Sequence, residues 1–284
     1  MIAPMLSLLA AAALWNDQPP GPERCGFNVE RLSFAGSPIR QARCLLSPML
    51  IHGEIGPAPR RLGRFLEAHV GKRVRIDRER LRTLLTAEQL PALAASVETP
   101  LSRARNNDPE APFARYFVIH DTSLELPGSE FPDNDSAQAN GLGWTYPDGT
   151  QVAHTFTNRR GEILFAHDYA IPWRATKRER DTITGGNAKG LFLHNELNQV
   201  RLNDPAGRPG NHDRAPTPGF TAAQYDRLAL LYILASVRGG RWLIPGFHGV
   251  IDSGIPDAHD DPQNFDMAAW EAALVRRTAQ LRGR

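Results

Sequence analysis

Cysteine is scarce in this 284-residue chain. Only Cys25 and Cys44 occur, and neither belongs to a CxxC pair or to a Cys/His finger spacing. That excludes a thiolate-held structural metal. An excess of one charge is also lacking, since 33 Lys and Arg stand against 31 Asp and Glu. So even a balance gives no footprint for nucleic acid. No apolar run reaches the ~20 residues that span a bilayer, and there is no internal repeat or heptad pattern. With 41% hydrophobic and 23% charged residues, the composition excludes both a disordered chain and a polytopic membrane protein. What is plentiful is Gly and Pro, 24 and 23 residues, which predicts many turns and long loops.

Residues 1–15 carry no charged side chain and end in a run of small residues at 10–13. The stretch has the length and the small-residue end of a secretory signal, without the usual basic first residues. Residues 1–22 are expected to be a signal peptide and linker, placing the protein in the periplasm or cell envelope. If the run is instead a buried first helix, the protein is cytoplasmic. The cysteines follow the compartment. In an exported protein Cys25 and Cys44 form one disulfide, worth about 3 kcal/mol for a loop of roughly 20 residues. In a cytosolic one they are two small buried hydrophobes.

Leu62, Phe65, Leu66 and Val70 have helical spacing, as do Leu81, Leu84 and Leu85 with Asp77 as N-cap. Residues 60–82 hold nine Arg or Lys against three acids. They form either the solvated face of those helices or a surface for an anionic polymer. Residues 99–112 are polar and Pro-containing, which predicts a linker. Strands are then predicted at 116–119 and 191–197, with a hairpin at 152–158 and 162–165 around Gly161. The capping box Thr221–Gln224 opens a helix through Val237. A short strand at 242–244 and a closing helix at 267–281 complete the chain. Strands interspersed with helices give an α/β (α+β) fold, a mixed central sheet flanked by helices. Residues 24–110 form a smaller N-terminal accessory region of unknown role, and 111–284 the domain that carries chemistry.

Of nine histidines, those that end a buried strand are the candidates, because a strand end holds a ligand rigidly in a cleft. His120 ends the 116–119 run. His248 follows the 242–244 strand by four residues, and Asp261 lies thirteen further on. Two imidazoles and a carboxylate suit a tetrahedral Zn²⁺ whose fourth position is open to water. Glu196 sits within the apolar 191–197 strand, where an unpaired charge is costly. It is a general base beside a metal-bound water, or part of a structural ion pair, or on the solvent face. His194, two residues earlier, shares its face; it is expected either to line the same cleft and contact substrate or to be the rival ligand.

Together these residues resemble the zinc-dependent N-acetylmuramoyl-L-alanine amidase family, whose fold is shared with peptidoglycan recognition proteins. The matching pieces come in family order. Ile119-His120-Asp121-Thr122 resembles I-H-H-T, and Ala153-His154 through Arg159-Arg160-Gly161-Glu162-Ile163 resembles the A-H-x-x-I-x-R-x-G-x-I hairpin. Asn195-Glu196-Leu197 stands where the family has I-G-I-E-L. Gly246-Phe247-His248 and Asp261-Pro262 match its G-H and D-P. The resemblance covers residues ~113–270. It implies one Zn²⁺ at a sheet edge, held by His120, His248 and Asp261, with Glu196 as the catalytic carboxylate. His259 stands where many members have an oxyanion-stabilising Lys, which makes that role pH-dependent.

Two further departures are His194-Asn195 in place of I-G and an insertion at 174–189, where relatives have W-H-A-G and a short loop. Trp173 is expected to keep the aromatic part of that element. Arg174, Lys177, Arg178, Arg180 and Lys189 of the insertion either grip stem-peptide carboxylates or belong to a mobile solvated loop. The implied partner is peptidoglycan or muropeptides, with no nucleic acid and no stable membrane span. The rival readings are a non-catalytic peptidoglycan binder on the same fold, a different zinc peptidase using His194 or His259, and a structural envelope protein.

Overall fold

The computed structural model describes residues 23–208 and 211–283. The apolar N-terminal run, and with it the signal peptide expected there, lies outside them. Strands β1 (Phe27–Asn28) and β2 (Ser33–Phe34) form a small antiparallel pair. The central sheet contains β3 (Tyr116–Asp121), β5 (Thr155–Thr157), β6 (Ile163–Phe165), β7 (Phe192–Leu197) and β10 (Ile244–Phe247), in the order β10-β3-β7-β5-β6. β10, β3, β7 and β5 run parallel to their neighbours, and β6 is antiparallel to β5. A second sheet, not foreseen from the sequence, joins β4 (Leu124–Leu126), β8 (Val200–Arg208) and β9 (Asn211–Arg214). The molecule is therefore a mixed α/β fold with a central mixed sheet flanked by helices.

One face of the sheet is covered by the Ala222–Gly239 helix. Thr221 Oγ1 accepts from Gln224 N at 3.2 Å, Gln224 Oε1 accepts from Thr221 N at 3.1 Å, and Gly240 ends the helix at φ +68°. Tyr232 lies 5.2 Å from Phe117 of β3 and 5.5 Å from Trp270 of the closing helix Met267–Arg282. The helix is therefore apolar nearly all round, as one held between two layers must be. The opposite face carries Tyr116, which packs edge-on to Phe34 at 5.3 Å and donates its hydroxyl to Gln41 Oε1 at 2.8 Å. Cys25 and Cys44 are disulfide-bonded, with Cα atoms 5.8 Å apart, and tie this N-terminal layer together. Leu45, Leu66, Leu81 and Val97 join the same contiguous apolar core as the sheet.

The 99–112 stretch is not a free linker. Ser102 N donates to Tyr169 O at 2.7 Å and its hydroxyl to Gly190 O at 2.9 Å. A Cβ on Gly190 would lie 2.2 Å from Arg103 O, so only glycine lets the two backbones approach. The strand expected at 242–244 is found at Ile244–Phe247. It includes Pro245 and Gly246, which an edge strand tolerates. Among the described residues no helix is long and apolar enough to cross a membrane.

Candidate metal centre

Parallel β10, β3 and β7 end side by side. Their register pairs Phe247 with Ile119 and His120 with Glu196. His248, the residue after β10, therefore comes level with His120, and three polar side chains stand at the carboxyl ends of adjacent strands. Open α/β sheets place ligands at this edge. Asp261 arrives from the loop beyond the short helix His248–Ile251. Gly249 N donates to Asp261 O at 2.9 Å, and a Cβ on Gly249 would lie 2.6 Å from His259 O. The glycine thus lets the aspartate loop lie against the helix.

His120 Nδ1 lies 2.9 Å from His248 Nδ1 and 3.8 Å from Asp261 Oδ2, while His248 Nδ1 lies 2.9 Å from Asp261 Oδ1. Zn–N bonds of about 2.0–2.1 Å in a tetrahedron separate ligand atoms by about 3.3 Å, and the observed spacings bracket that value. All three residues are buried. Glu196 Oε2 makes no hydrogen bond despite its burial. A buried carboxylate oxygen without a partner is costly, and a cation satisfies it. The donor set of two imidazoles and a carboxylate thus fits Zn²⁺. Glu196 Oε1 is 3.7 Å from His120 Nδ1, within reach of a water in the fourth position.

The electrostatics agree with that assignment. Burial, reinforced by His248 and His194, pushes His120 well below the usual imidazole range, leaving it in the neutral form that ligates. Burial acts the same way on His248, but the carboxylates of Asp261 and Asp252 outweigh it and hold His248 well above that range. The pocket therefore attracts positive charge. Burial pushes Glu196 well above the carboxylate range, helped by the charge of Asp261. A bound divalent cation acts in the opposite sense and favours its ionised form.

In front of these groups opens a groove of about 480 Å³. Trp144 and Tyr146 line it from one loop, and Arg174, Lys177 and Arg180 from another. His259 also lines it, with a half-exposed side chain whose Nδ1 is 3.7 Å from Asp261 Oδ1.

The residues singled out from the sequence divide accordingly. His120, His248, Asp261 and Glu196 are brought together, with His259 at the rim. His194 is no rival ligand, because its Nδ1 faces His120 Nε2 at 3.1 Å, the nitrogen turned away from the donor cluster. Lys177 reaches the groove. Arg178 turns inward, where its guanidinium donates to Ile251 O at 3.1 Å and Ser253 O at 3.0 Å. Lys177, Arg178 and Glu179 are all buried, so this part of the insertion is packed, not a solvated loop. Trp173 does not line the groove. Its ring stacks on His167 at 4.1 Å, and its indole N–H donates to Val152 O.

Sequence reasoning missed Trp144, Tyr146, Asp252 and Glu179. Two of them left a signal. Thr176-x-x-Glu179 has capping-box spacing, and Asp252 stands four residues after His248 on one helical face.

No family model matches the chain, and no curated protein matches it. A solved structure similar to it is the crystal structure of a selenomethionine AmpD derivative. That likeness has 21% identity and a TM-score of 0.36 over 62% of this chain and 94% of that one. At that level it carries no argument about chemistry.

Proposed function

We propose that this protein is a zinc-dependent hydrolase of the amide joining N-acetylmuramic acid to L-alanine in peptidoglycan. One observation carries the reading: His120 Nδ1, His248 Nδ1 and Asp261 converge on one point beside an unpartnered oxygen of buried Glu196. The ordered motif resemblance over residues ~113–270 supplies the identity of the bond.

His120, His248 and Asp261 would hold a zinc ion, which when bound would supply Lewis acidity and lower the pKa of a water toward neutrality. Glu196 takes a proton from the attacking water at its carboxylate and returns it to the departing nitrogen. A C–O bond forms and the C–N bond breaks, leaving a carboxylate on the lactyl group and a free amine on L-alanine. His259, when protonated, is placed to donate to the developing oxyanion. Trp144 and Tyr146 offer aromatic faces to a sugar ring. Arg174, Lys177 and Arg180 meet stem-peptide carboxylates. A non-catalytic binder has no use for a buried, unpartnered carboxylate such as Glu196.

In this reading the protein works outside the cytoplasm, in the periplasm or cell envelope, and the Cys25–Cys44 disulfide supports export. Residues 24–110 are an accessory region of the 111–284 amidase domain that meets cell-wall polymer or a regulator.

The test is to incubate purified peptidoglycan with the protein, with and without a chelator, and to weigh the released products. The expected products are stem peptides beginning with L-alanine, abolished by chelator and restored by zinc. Cleavage inside the peptide would instead mark a zinc peptidase, and retention on the polymer without cleavage a binder.

A further inference from the structure

The turn at residues 176–179 touches the supports of both metal-site histidines. Glu179 Oε2 accepts from Thr176 N at 3.2 Å and from Thr176 Oγ1 at 2.9 Å. The same oxygen lies 3.0 Å from His194 Nε2, with both side chains completely buried. His194 Nδ1 in turn lies 3.1 Å from His120 Nε2. On the other side, Asp252 Oδ2 accepts from Lys177 N at 2.8 Å and Oδ1 from Arg178 N at 2.9 Å. That Oδ2 is 3.0 Å from His248 Nε2.

The proton pattern follows from these acceptors. The Glu179 carboxylate, 3.0 Å from His194 Nε2, draws the ring proton to that nitrogen by charge, which leaves the Nδ1 of His194 a lone pair. That lone pair accepts the Nε2–H of His120, so the Nδ1 of His120 is bare toward the donor cluster. Asp252 fixes His248 in the same way. With a cation bound, each metal-facing nitrogen would be the deprotonated one, and each ring is oriented by a hydrogen bond on its far side. Both carboxylates behind the two rings are bonded to this turn.

We propose that the 176–179 turn is the common outer support of the metal site, with Glu179 and His194 as positioning residues for His120 and Asp252 as the positioning residue for His248. The inference rests on the zinc reading above and goes beyond it. It makes metal affinity depend on an insertion that also carries Arg174, Lys177 and Arg180 into the groove. Occupancy of the site and the shape of the groove wall are therefore linked, and linkage is reciprocal.

The test measures zinc affinity of the full chain by competition with a chromogenic chelator, alongside the melting temperature with and without zinc. Glu179→Gln, His194→Leu and Asp252→Asn are each expected to weaken zinc binding by about 10–100-fold. Glu179 and His194 act in series, so the double variant Glu179→Gln/His194→Leu should bind no more weakly than His194→Leu alone. Glu179→Gln with Asp252→Asn should multiply the two losses. His194→Asn keeps an acceptor near the Nδ1 position and should recover affinity relative to His194→Leu. Should His194→Leu fail to fold, Glu179→Gln decides, since its amide oxygen still caps the turn.

If the wild type binds zinc and these variants bind it equally well, losing the same melting temperature with and without the metal, the turn is only structural and the proposal is overturned. A wild type that takes up no zinc at all would instead remove the reading on which the proposal rests.

Discussion

His120 and Asp121 are neighbours in β3 whose side chains leave opposite faces of the strand, and they belong to two polar clusters of opposite character. Asp121 meets Arg201, whose completely buried guanidinium also faces Asp213 at 3.5 Å and Asp260 at 3.3 Å. Gln199 Oε1 takes the Nε–H of Arg201, Ser123 donates to Asp121, and Gln263 donates to Asp260. None of these residues appears among the buried polar atoms without partners. The His120 cluster sets the carboxylates of Asp261, Asp252 and Glu196 against the one imidazole they can charge, His248, and it leaves Glu196 Oε2 unpartnered. A buried cluster in which every carboxylate is satisfied is structural. One that leaves a buried carboxylate oxygen without a partner has room for a further cation.

The comparison breaks most visibly at Arg201. Arg201→Met should cost about 3–5 kcal/mol, because it strands buried carboxylates, and denaturant unfolding will measure that. Loss of less than about 1 kcal/mol would mean the cluster is not held by its guanidinium. Glu196→Gln is expected to do the reverse. Stability and zinc content should hold while turnover on muropeptide falls by roughly 10²–10⁴, and wild-type turnover in that variant would take Glu196 out of the mechanism. Zinc itself should stabilise only the unfilled cluster. At 100 times Kd it adds about 2.7 kcal/mol to the wild type and nothing to Asp261→Ala, a contrast that melting curves will register.

The smallest effect belongs to a partly exposed cluster, where Glu88 pairs with Arg227 and Arg277. Burial raises the Glu88 carboxyl, but the two guanidiniums outweigh it and hold it below its ordinary 4.5. A depressed folded value means stability that is present above 4.5 and lost as pH falls through the folded value. Glu88→Gln should therefore flatten the acid limb of stability, and an unchanged limb would show that solvent screens the pair.

What the sequence disclosed depended on how local the cause was. Asp77 caps its helix by accepting from Arg80 N at 2.9 Å, and Thr221–Gln224 caps another; both causes lie within four residues. The ends of β3 and β7 were legible as apolar runs, so His120 and Glu196 could be singled out before their register was known. The β4-β8-β9 sheet was not legible, because pairing Leu124 with Val200 is a contact across the chain with no local trace. Trp173 was chosen for the groove on family position, yet its indole N–H is used by Val152 O. Trp144 and Tyr146, which do line the groove, sit in a loop whose sequence says nothing of where it folds back.

The account is tested most directly by counting zinc in the purified, dialysed chain by elemental analysis, beside His120→Ala, His248→Ala and Asp261→Ala. It predicts one zinc per wild-type chain and almost none in each variant. A wild type that stays metal-free after reconstitution, or variants that keep full zinc, would contradict it.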